Sequence, residues 1–218
     1  DVALSHTSTS RTGVGHTRWA THGGVTEANA HPLTGCDDGS LAIVLNGIVE
    51  NYRELQESLG ADGHVFSSET DAETVAHLVE RHYDGDLVKA VRLAFTEMEG
   101  HFTFVVIHRD HPDLLVGARL HTPLVVGVGD GEMFLASNAA AFLRETRTVY
   151  FPENGEIVAI TPEGAAFTRV DGTPVEHEPL VLDWDDEGAE KGGFETFMLK
   201  EIYEQPEAIS ETIGDRVR

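Results

Sequence analysis

The segment HTRWATHG, residues 16–23, combines a guanidinium, an indole and two imidazoles with little apolar surface to bury. Such a segment is a poor core element, so its side chains are expected to face a site. Arg18 could grip a carboxylate through paired N–H donors, because a planar guanidinium matches that geometry. An ordinary surface ion pair would also explain Arg18, and its type alone does not decide.

Asn46 and Gly47 directly follow the apolar run LAIVL, which predicts a short strand. One interpretation is a hairpin turn after that strand, since Asn-Gly is typical of such turns. The other is an oxyanion hole, in which the Asn46 side-chain amide and the Gly47 N–H donate to a single oxygen. Both interpretations stay open at this point.

Asp71 lies at the predicted start of a helix, where Thr70 and Glu73 match the capping-box pattern. A carboxylate in this position can cap the helix or complement its dipole. It can also bind an ammonium group. Arg18 and Asp71 together would therefore suit the two charged ends of an α-amino acid.

Few other motifs in the sequence indicate catalytic or metal-binding chemistry. Twelve histidines raise the question of a metal, but no H-E-x-x-H or H-x-H pattern occurs, and we predict neither a metal site nor a cofactor. Phosphate-binding glycine loops and a nucleophile elbow are also absent from the sequence. Cys36 is the single cysteine, which excludes an internal disulfide, and we predict a passive loop cysteine.

Hydrophobic periodicity predicts three helices, at 51–60 with Gly60 as C-cap, at 67–83 and at 87–98. Strands follow after Gly100, interrupted by a short helix at 138–146. The turns between strands are predicted at Asp130-Gly131, Asn154-Gly155, Glu163-Gly164 and Asp171-Gly172. The tail at 174–193 reads as irregular, and helical character resumes after it. Runs of helices and runs of strands indicate an α+β fold with mainly antiparallel sheets. We predict one domain over 1–193 and a C-terminal extension over 194–218.

Composition restricts the partners. A formal net charge of −23 argues against binding to nucleic acid or to anionic membranes, since both are polyanions. No apolar run approaches the roughly 20 residues that span a bilayer, so we expect a cytoplasmic protein. The acidic, lysine-poor composition also suggests a halophilic source, because high salt screens self-repulsion.

Six strings resemble, in order and approximate spacing, the glutaminase domain of the glucosamine-6-phosphate synthase family, a class II amidotransferase with an N-terminal nucleophile. They are HTRWATHG (16–23), NAHP (29–32), NGIVEN (46–51), SSETDAETVAHL (67–78), EGHFTFVV (99–106) and MLKEIYEQP (198–206). The resemblance implies a four-layer αββα sandwich of N-terminal-nucleophile hydrolase type. It also implies that glutamine is hydrolysed to glutamate and ammonia, and that the ammonia converts fructose 6-phosphate into glucosamine 6-phosphate.

The resemblance also implies a role for each residue that matches a functional position of the family. Arg18 would bind the glutamine α-carboxylate, and Asp71 would bind its α-ammonium group. Asn46 and Gly47 would form the oxyanion hole. The remaining candidates are Trp19 near the channel mouth, Thr21 and His22 in the pocket wall, and His31 near the junction with a second domain.

One departure from the family concerns the nucleophile. Residue 1 is Asp, whereas the family opens with Cys-Gly-Ile-Val-Gly. We therefore expect the chain as given to lack the first strand and the attacking cysteine, and to be inactive. Fructose 6-phosphate would bind to a sugar isomerase domain that this sequence does not include.

Two other functions stay open. One is a non-catalytic module that binds glutamine, and the other is an amidotransferase domain with a phosphoribosyl or asparagine-forming acceptor. A homodimer is one oligomeric state that the sequence leaves open.

Overall fold

The computed structural model describes residues 11–36, 39–183 and 193–214. The described residues separate into two compact units, divided between Val181 and Leu182, and each is described by itself. The predicted boundary at 193 stays a prediction. Asp37 and Asp38, which follow Cys36 in sequence, lie outside the described residues.

The described residues of the first unit form two antiparallel sheets. The larger has seven strands in the order β1-β2-β3-β4-β8-β9-β10, and the smaller has four in the order β11-β7-β5-β6. The strands are β1 Leu33–Thr34, β2 Leu41–Val49, β3 Gly100–His108, β4 Leu115–Leu120, β5 Val125–Val128, β6 Met133–Ala136, β7 Thr148–Tyr150, β8 Glu156–Thr161, β9 Gly164–Arg169, β10 Pro174–Val175 and β11 Leu180–Val181. The last two strands fall in the segment that was predicted to be irregular.

Three α-helices connect β2 to β3: α1 Tyr52–Ala61, α2 Asp71–His82 and α3 Leu87–Glu97. The prediction of Gly60 as C-cap is wrong. The helix continues through Gly60, and Gly63, with φ +99°, donates its N–H to the Gly60 carbonyl at 3.1 Å. The left-handed residue that ends the helix is thus a later glycine in the same sequence run.

The helix predicted at 138–146 is also shorter than expected. Only Ala139–Ala141 forms a helical turn, of the 3-10 type, capped by the Asn138 side chain. The predicted glycine turns are confirmed, since Gly131, Gly155, Gly164 and Gly172 all have positive φ. At the first of them the Gly129 N–H closes the hairpin on the Glu132 carbonyl at 2.9 Å.

The two faces of the larger sheet bury two separate hydrophobic clusters. Alternation along β3 shows the division, because Phe102 and Phe104 face the helices while Val105 faces the smaller sheet. The helix side also holds Ile43 of β2 and Leu78 of α2, both fully buried. A layer of helices, a seven-stranded sheet and a four-stranded sheet therefore stack in that order. This confirms the α+β class with mainly antiparallel sheets.

The second unit contains α4, Phe197–Gly214, with Pro206 inside it. This confirms the predicted return of helical character near the C-terminus. None of the helices in the described ranges has the length and apolarity needed to span a bilayer.

Candidate functional site

A cavity of about 200 Å³ lies beside β2 and the start of α2. Every site residue predicted from the sequence lines it: Arg18, Trp19, Thr21, His22, His31, Asn46, Gly47 and Asp71. The wall is completed by His16, Leu45, Ile48, Thr70 and Ala72. The structure thus brings the candidates from three distant stretches of sequence into one shared space.

Asn46 and Gly47 lie inside β2, opposite Thr103 and Phe102 of β3. The interpretation as a hairpin turn is therefore wrong, since the strand continues to Val49. Gly47 nevertheless has φ +112°, and a Cβ built there would lie 2.1 Å from the His101 carbonyl oxygen. Only glycine fits this position, because any side chain would meet both backbone strain and a steric clash.

The half of β2 that lines the cavity is a sheet edge within the described residues. β1 pairs only with Ala42 and Ile43, so residues 45–49 have a strand on one side, β3, and the cavity region on the other. A sheet edge presents backbone N–H groups that can donate to another partner. The Val49 N–H donates to the Asp71 carboxylate at 2.8 Å. This bond fixes the start of α2 against the strand end.

Asp71 is the first residue of α2 and is buried, with 4% of its surface exposed. Its carboxylate does not cap the helix. That role belongs to Thr70, whose hydroxyl oxygen accepts from the Glu73 N–H at 3.3 Å. One Asp71 oxygen therefore accepts from Val49, and the carboxylate carries its negative charge to the cavity wall.

The capping box is only half formed. Glu73 does not reach back to Thr70; its carboxylate accepts from the backbone N–H and hydroxyl groups of Ser67 and Ser68, at 2.6–2.7 Å. Burial opposes the charge of Glu73, but the nearby His77 ring and the hydrogen bonds from Ser67 and Ser68 outweigh it and lower the pKa to about 2. Glu73 thereby holds the loop that leads into Asp71.

Arg18 donates to three backbone carbonyls of its own segment. Its guanidinium bonds the His22 oxygen at 2.6 Å, the Gly24 oxygen at 3.0 Å and the Gly23 oxygen at 3.2 Å. A guanidinium has five N–H donors, so up to two remain for a ligand. Arg18 therefore both closes the loop at 18–24 and carries positive charge to the cavity.

Asn29 and Glu69 support this loop, and neither was predicted as a site residue. Asn29 is buried, donates to the Gly24 carbonyl and to the Glu69 carboxylate at 3.1 Å each, and accepts from the Glu69 N–H at 2.9 Å. The Asn29 side chain, followed by the Gly24 N–H, holds the pKa of Glu69 below its usual value. In the sequence, only the NAHP string points to Asn29. Nothing in it points to the pairing with Glu69, because the two residues are forty positions apart.

His16 and His31 stack in the cavity wall with ring centroids 4.5 Å apart. The Arg18 N–H donates to His16 Nδ1 at 2.8 Å, which leaves the proton of a neutral ring on Nε2. Burial, followed by the charges of His16 and Arg18, lowers the pKa of His31 to about 4. Both ring nitrogens of His31 are buried without a hydrogen-bond partner among the described residues. His31 therefore enters the site as a neutral ring. Its predicted place at a domain junction stays a prediction.

The remaining predicted residues differ in exposure. Trp19 projects into solvent, with 89% of its surface exposed. The His22 ring packs on the Tyr52 ring at a centroid distance of 4.9 Å, which ties the loop to α1. Thr21, which lies between Trp19 and His22 in the sequence, also lines the cavity. The exposed indole is free to contact a ligand or another protein surface at the mouth.

The arrangement combines a guanidinium, a carboxylate and a strand edge that contains a glycine with positive φ. Opposite charges on the wall suit a small zwitterion, and a strand edge with an adjacent amide suits a developing oxyanion. No cysteine is among the described lining residues, and Cys36 lies in a different cluster.

A family model described as a glutamine amidotransferase domain matches residues 16–144. The chain is 52% identical over 206 residues to glutamine–fructose-6-phosphate aminotransferase (isomerizing) of Thermus thermophilus, which covers 94% of this chain and 34% of that protein. The protein of the same name from Aquifex aeolicus is 48% identical over 203 residues, with coverage of 93% and 34%. The chain thus spans about a third of the length of these relatives.

Among solved structures, the glutamine phosphoribosylpyrophosphate amidotransferase of B. subtilis superposes with a TM-score of 0.61 at 26% identity. The match covers 71% of this chain and 34% of the other. The shared fold agrees with the α+β sandwich described above.

Proposed function

The chain belongs to the family of glutamine amidotransferase domains, and from that membership we propose that its cavity binds L-glutamine and supports hydrolysis of the side-chain amide. The observation that carries this proposal is the placement of Arg18, Asp71 and the pair Asn46 and Gly47 around one cavity. Each lies on a different element of the fold. A shared role in one ligand explains why three separate segments converge there.

The two charged residues would hold the backbone end of the substrate. The Arg18 guanidinium would donate to the α-carboxylate through the N–H groups that its loop contacts leave over. The Asp71 carboxylate would accept from the α-ammonium group while it keeps the bond to Val49. Both contacts are charge-assisted, and each such hydrogen bond contributes about 1.5–3 kcal/mol.

Asn46 and Gly47 would stabilise the negative charge that develops on the amide oxygen. Two features support this role: the position at a strand edge and the exclusion of every side chain but hydrogen at Gly47. One oxyanion donor typically contributes about 10²–10³ in rate. Thr21 and His22 would complete the pocket wall, with Trp19 at its mouth.

The reaction also needs a nucleophile that these lining residues do not supply. Thr21 and Thr70 are the hydroxyl groups of the wall, and each would require an adjacent base to attack an amide. In the mechanism implied by the family resemblance, an N-terminal cysteine attacks and its own amine serves as base. The residues described in this structure would bind and orient glutamine for that attack.

We further propose fructose 6-phosphate as the acceptor of the ammonia, giving glucosamine 6-phosphate. Relatives named for that sugar are about 50% identical over nearly the whole chain, whereas the phosphoribosyl enzyme is 26% identical over 71% of it. The sugar would bind outside the third of these relatives that matches this chain. The test is formation of glucosamine 6-phosphate from glutamine and fructose 6-phosphate by the full-length gene product.

A glutamine-binding module without catalysis is the second candidate, favoured by the absence of a cysteine from the described cavity lining. Calorimetric titration with L-glutamine, combined with an assay of ammonia release, separates the two. Binding with hydrolysis in the full-length protein supports the amidotransferase. Binding without hydrolysis supports the module, and the lack of any binding contradicts both.

A further inference from the structure

A second group of polar side chains lies away from the cavity lining. It consists of Cys36, His64, His77 and Glu80, which we call the CHHE cluster. Their four potential ligand atoms, one from each residue, lie within 4.8 Å of one another. The sequence predicts no metal site and a passive cysteine, because residues so far apart match no short metal-binding motif.

Five of the six distances between the ligand atoms of the CHHE cluster are close to those of a tetrahedral coordination sphere. Both His Nδ1 atoms lie 3.2 Å apart, and they lie 3.2 and 3.3 Å from the Glu80 oxygen. The Cys36 sulfur lies 3.7 Å from His64 Nδ1 and 3.5 Å from His77 Nδ1. A zinc ion at ordinary bond lengths would place nitrogen and oxygen ligands about 3.3–3.4 Å apart, and sulfur about 3.6 Å from nitrogen.

Hydrogen bonds alone explain this packing poorly. An imidazole nitrogen carries either one proton or one lone pair in the ring plane, so it forms one directional bond. Here each Nδ1 meets three polar atoms at once. A cation at the centre would receive a lone pair from every atom of the group, and it would remove the repulsion between the two nitrogens.

The protein around the CHHE cluster also fits a bound metal. The Val65 N–H donates to the Cys36 sulfur at 3.4 Å, and the Cys36 N–H donates to the Glu80 oxygen at 3.0 Å. The second nitrogen of His77 faces the Glu73 carboxylate at 3.6 Å, just beyond hydrogen-bond distance, and a carboxylate on that side of the ring is common for histidines that ligate metals. A Cβ at Gly35 would lie 2.8 Å from the Glu80 carboxylate, so glycine leaves room for it.

Charge and ligand type select the metal. One thiolate and one carboxylate neutralise a divalent cation, and two neutral imidazoles complete four ligands. A mixture of sulfur, nitrogen and oxygen donors in tetrahedral geometry suits Zn²⁺. Four protein ligands leave no open position, which is typical of a structural site. His77 is buried while Cys36 is exposed, so an ion has a path from solvent.

We propose that Cys36, His64, His77 and Glu80 bind one Zn²⁺ ion as a structural site. Binding releases the Cys36 thiol proton and forms four coordination bonds, through Sγ, two Nδ1 atoms and one Oε2 atom. The ion would join the loop after β1, the segment after α1 and the helix α2. His77 follows Asp71 on α2 at a distance of about 9 Å along the axis, rather less than two turns, so the ion would fix the helix that carries Asp71 to the cavity.

The first test uses the unmodified, tag-free chain. Metal is removed with a chelator, and Co²⁺ is added as a spectroscopic substitute for Zn²⁺. The proposal predicts one equivalent of bound cobalt, with tetrahedral absorption bands and a thiolate-to-metal charge-transfer band that Zn²⁺ displaces. Zn²⁺ should also slow the reaction of the single cysteine with a thiol reagent by about tenfold or more. Cobalt bound without the thiolate band, or unchanged thiol reactivity, would overturn the site.

The second test compares variants. Cys36→Ser and His64→Gln should each weaken Zn²⁺ binding by at least tenfold, since the loss of even an outer partner weakens metal sites by about 10–100-fold. His101→Gln, an exposed histidine outside the cluster, should bind as the wild type does. Equal affinity in all four proteins would contradict the proposal. If a ligand variant does not fold, the measurements on the unmodified chain still decide.

Discussion

The Asp71 carboxylate accepts a hydrogen bond of 2.8 Å from the Val49 N–H, so the first residue of α2 is attached to the cavity edge of the large sheet. This bond couples two segments that the sequence separates by 22 positions. Val49 lies two residues beyond Gly47, so the bond holds the negative charge of Asp71 on the same cavity wall as Gly47. The proposed recognition of a zwitterion depends on this attachment.

Replacement of Gly47 by alanine tests the strand edge. We expect Gly47→Ala to lower the free energy of unfolding by about 2–5 kcal/mol, since positive φ costs about 1–2 kcal/mol and overpacking against the His101 carbonyl costs about 1–3 kcal/mol. Gly131→Ala is the matched control, because Gly131 has φ +73° with open space around its Cβ position. Urea denaturation measures both. Equal losses in the two variants would show that the clash at Gly47 is relieved at no cost.

The lowered pKa of His31 predicts that the free energy of unfolding decreases in mild acid. Its folded pKa of about 4 lies below the ordinary value of 6.5, so the unfolded chain binds a proton that the folded chain does not. Stability is then complete above pH 6.5 and falls as the pH drops toward about 4, by about 2–3 kcal/mol. Unfolding of wild type and His31→Gln across this range measures the effect.

His31→Gln should flatten the slope, whereas His101→Gln should leave it unchanged. A titration of the His31 ring by NMR gives an independent check. A midpoint near 6.5 would show that the ring is not held neutral by its surroundings.

The lowered pKa of Glu73 predicts a second loss of stability at lower pH. Its pKa is lowered from 4.5 to about 2, so its ionised form stabilises the folded chain above pH 4.5. That contribution, up to about 3 kcal/mol, is lost as the pH falls from 4.5 toward 2. Glu73→Gln should destabilise the chain at neutral pH and lose this pH dependence. The experiment is done with a chelator present, so that metal binding does not contribute. An unaltered acid transition in Glu73→Gln would contradict the assignment.

The acidic composition predicts salt dependence. With 38 acidic and 15 basic residues, self-repulsion should destabilise the folded chain at low ionic strength. An increase from about 0.1 M to about 2 M NaCl shortens the screening length several-fold and should raise the Tm. Thermal unfolding followed by circular dichroism provides the measurement. A Tm that does not change with salt would remove the basis for a halophilic source.

Local patterns in the sequence predicted most elements of the fold. Thr70 as N-cap and Gly131 in its hairpin were correct because turns and caps depend on neighbours in sequence. The Asn46-Gly47 dipeptide was ambiguous for the same reason. Its local chemistry favours a turn, but pairing with β3, more than fifty residues later, keeps it inside a strand.

Local sequence patterns could not predict the polar contacts between residues distant in sequence. Asn29 meets Glu69, and Cys36 meets His77, only because the loop after β1 packs against α2. Neither hydrophobic periodicity nor a short motif predicts contacts between residues so far apart in sequence. The family resemblance named the cavity residues, but the structure was needed to show the bond between Asp71 and Val49 and the loop contacts of Arg18.

In the proposed binding mode, Arg18 and Asp71 each contact one charged end of glutamine. The most direct measurement is calorimetric binding of L-glutamine, of glutaramic acid, which lacks the ammonium group, and of 4-aminobutanamide, which lacks the carboxylate. Wild type, Arg18→Ala and Asp71→Asn are compared, with Glu57→Gln as a control on the exposed face of α1.

We expect wild type and Glu57→Gln to bind L-glutamine at least tenfold more tightly than either analogue, in keeping with charge-assisted contacts of about 1.5–3 kcal/mol. Arg18→Ala should no longer distinguish L-glutamine from 4-aminobutanamide, and Asp71→Asn should no longer distinguish it from glutaramic acid. If both variants keep the full preference of the wild type, the two residues do not hold the zwitterion and the account is wrong.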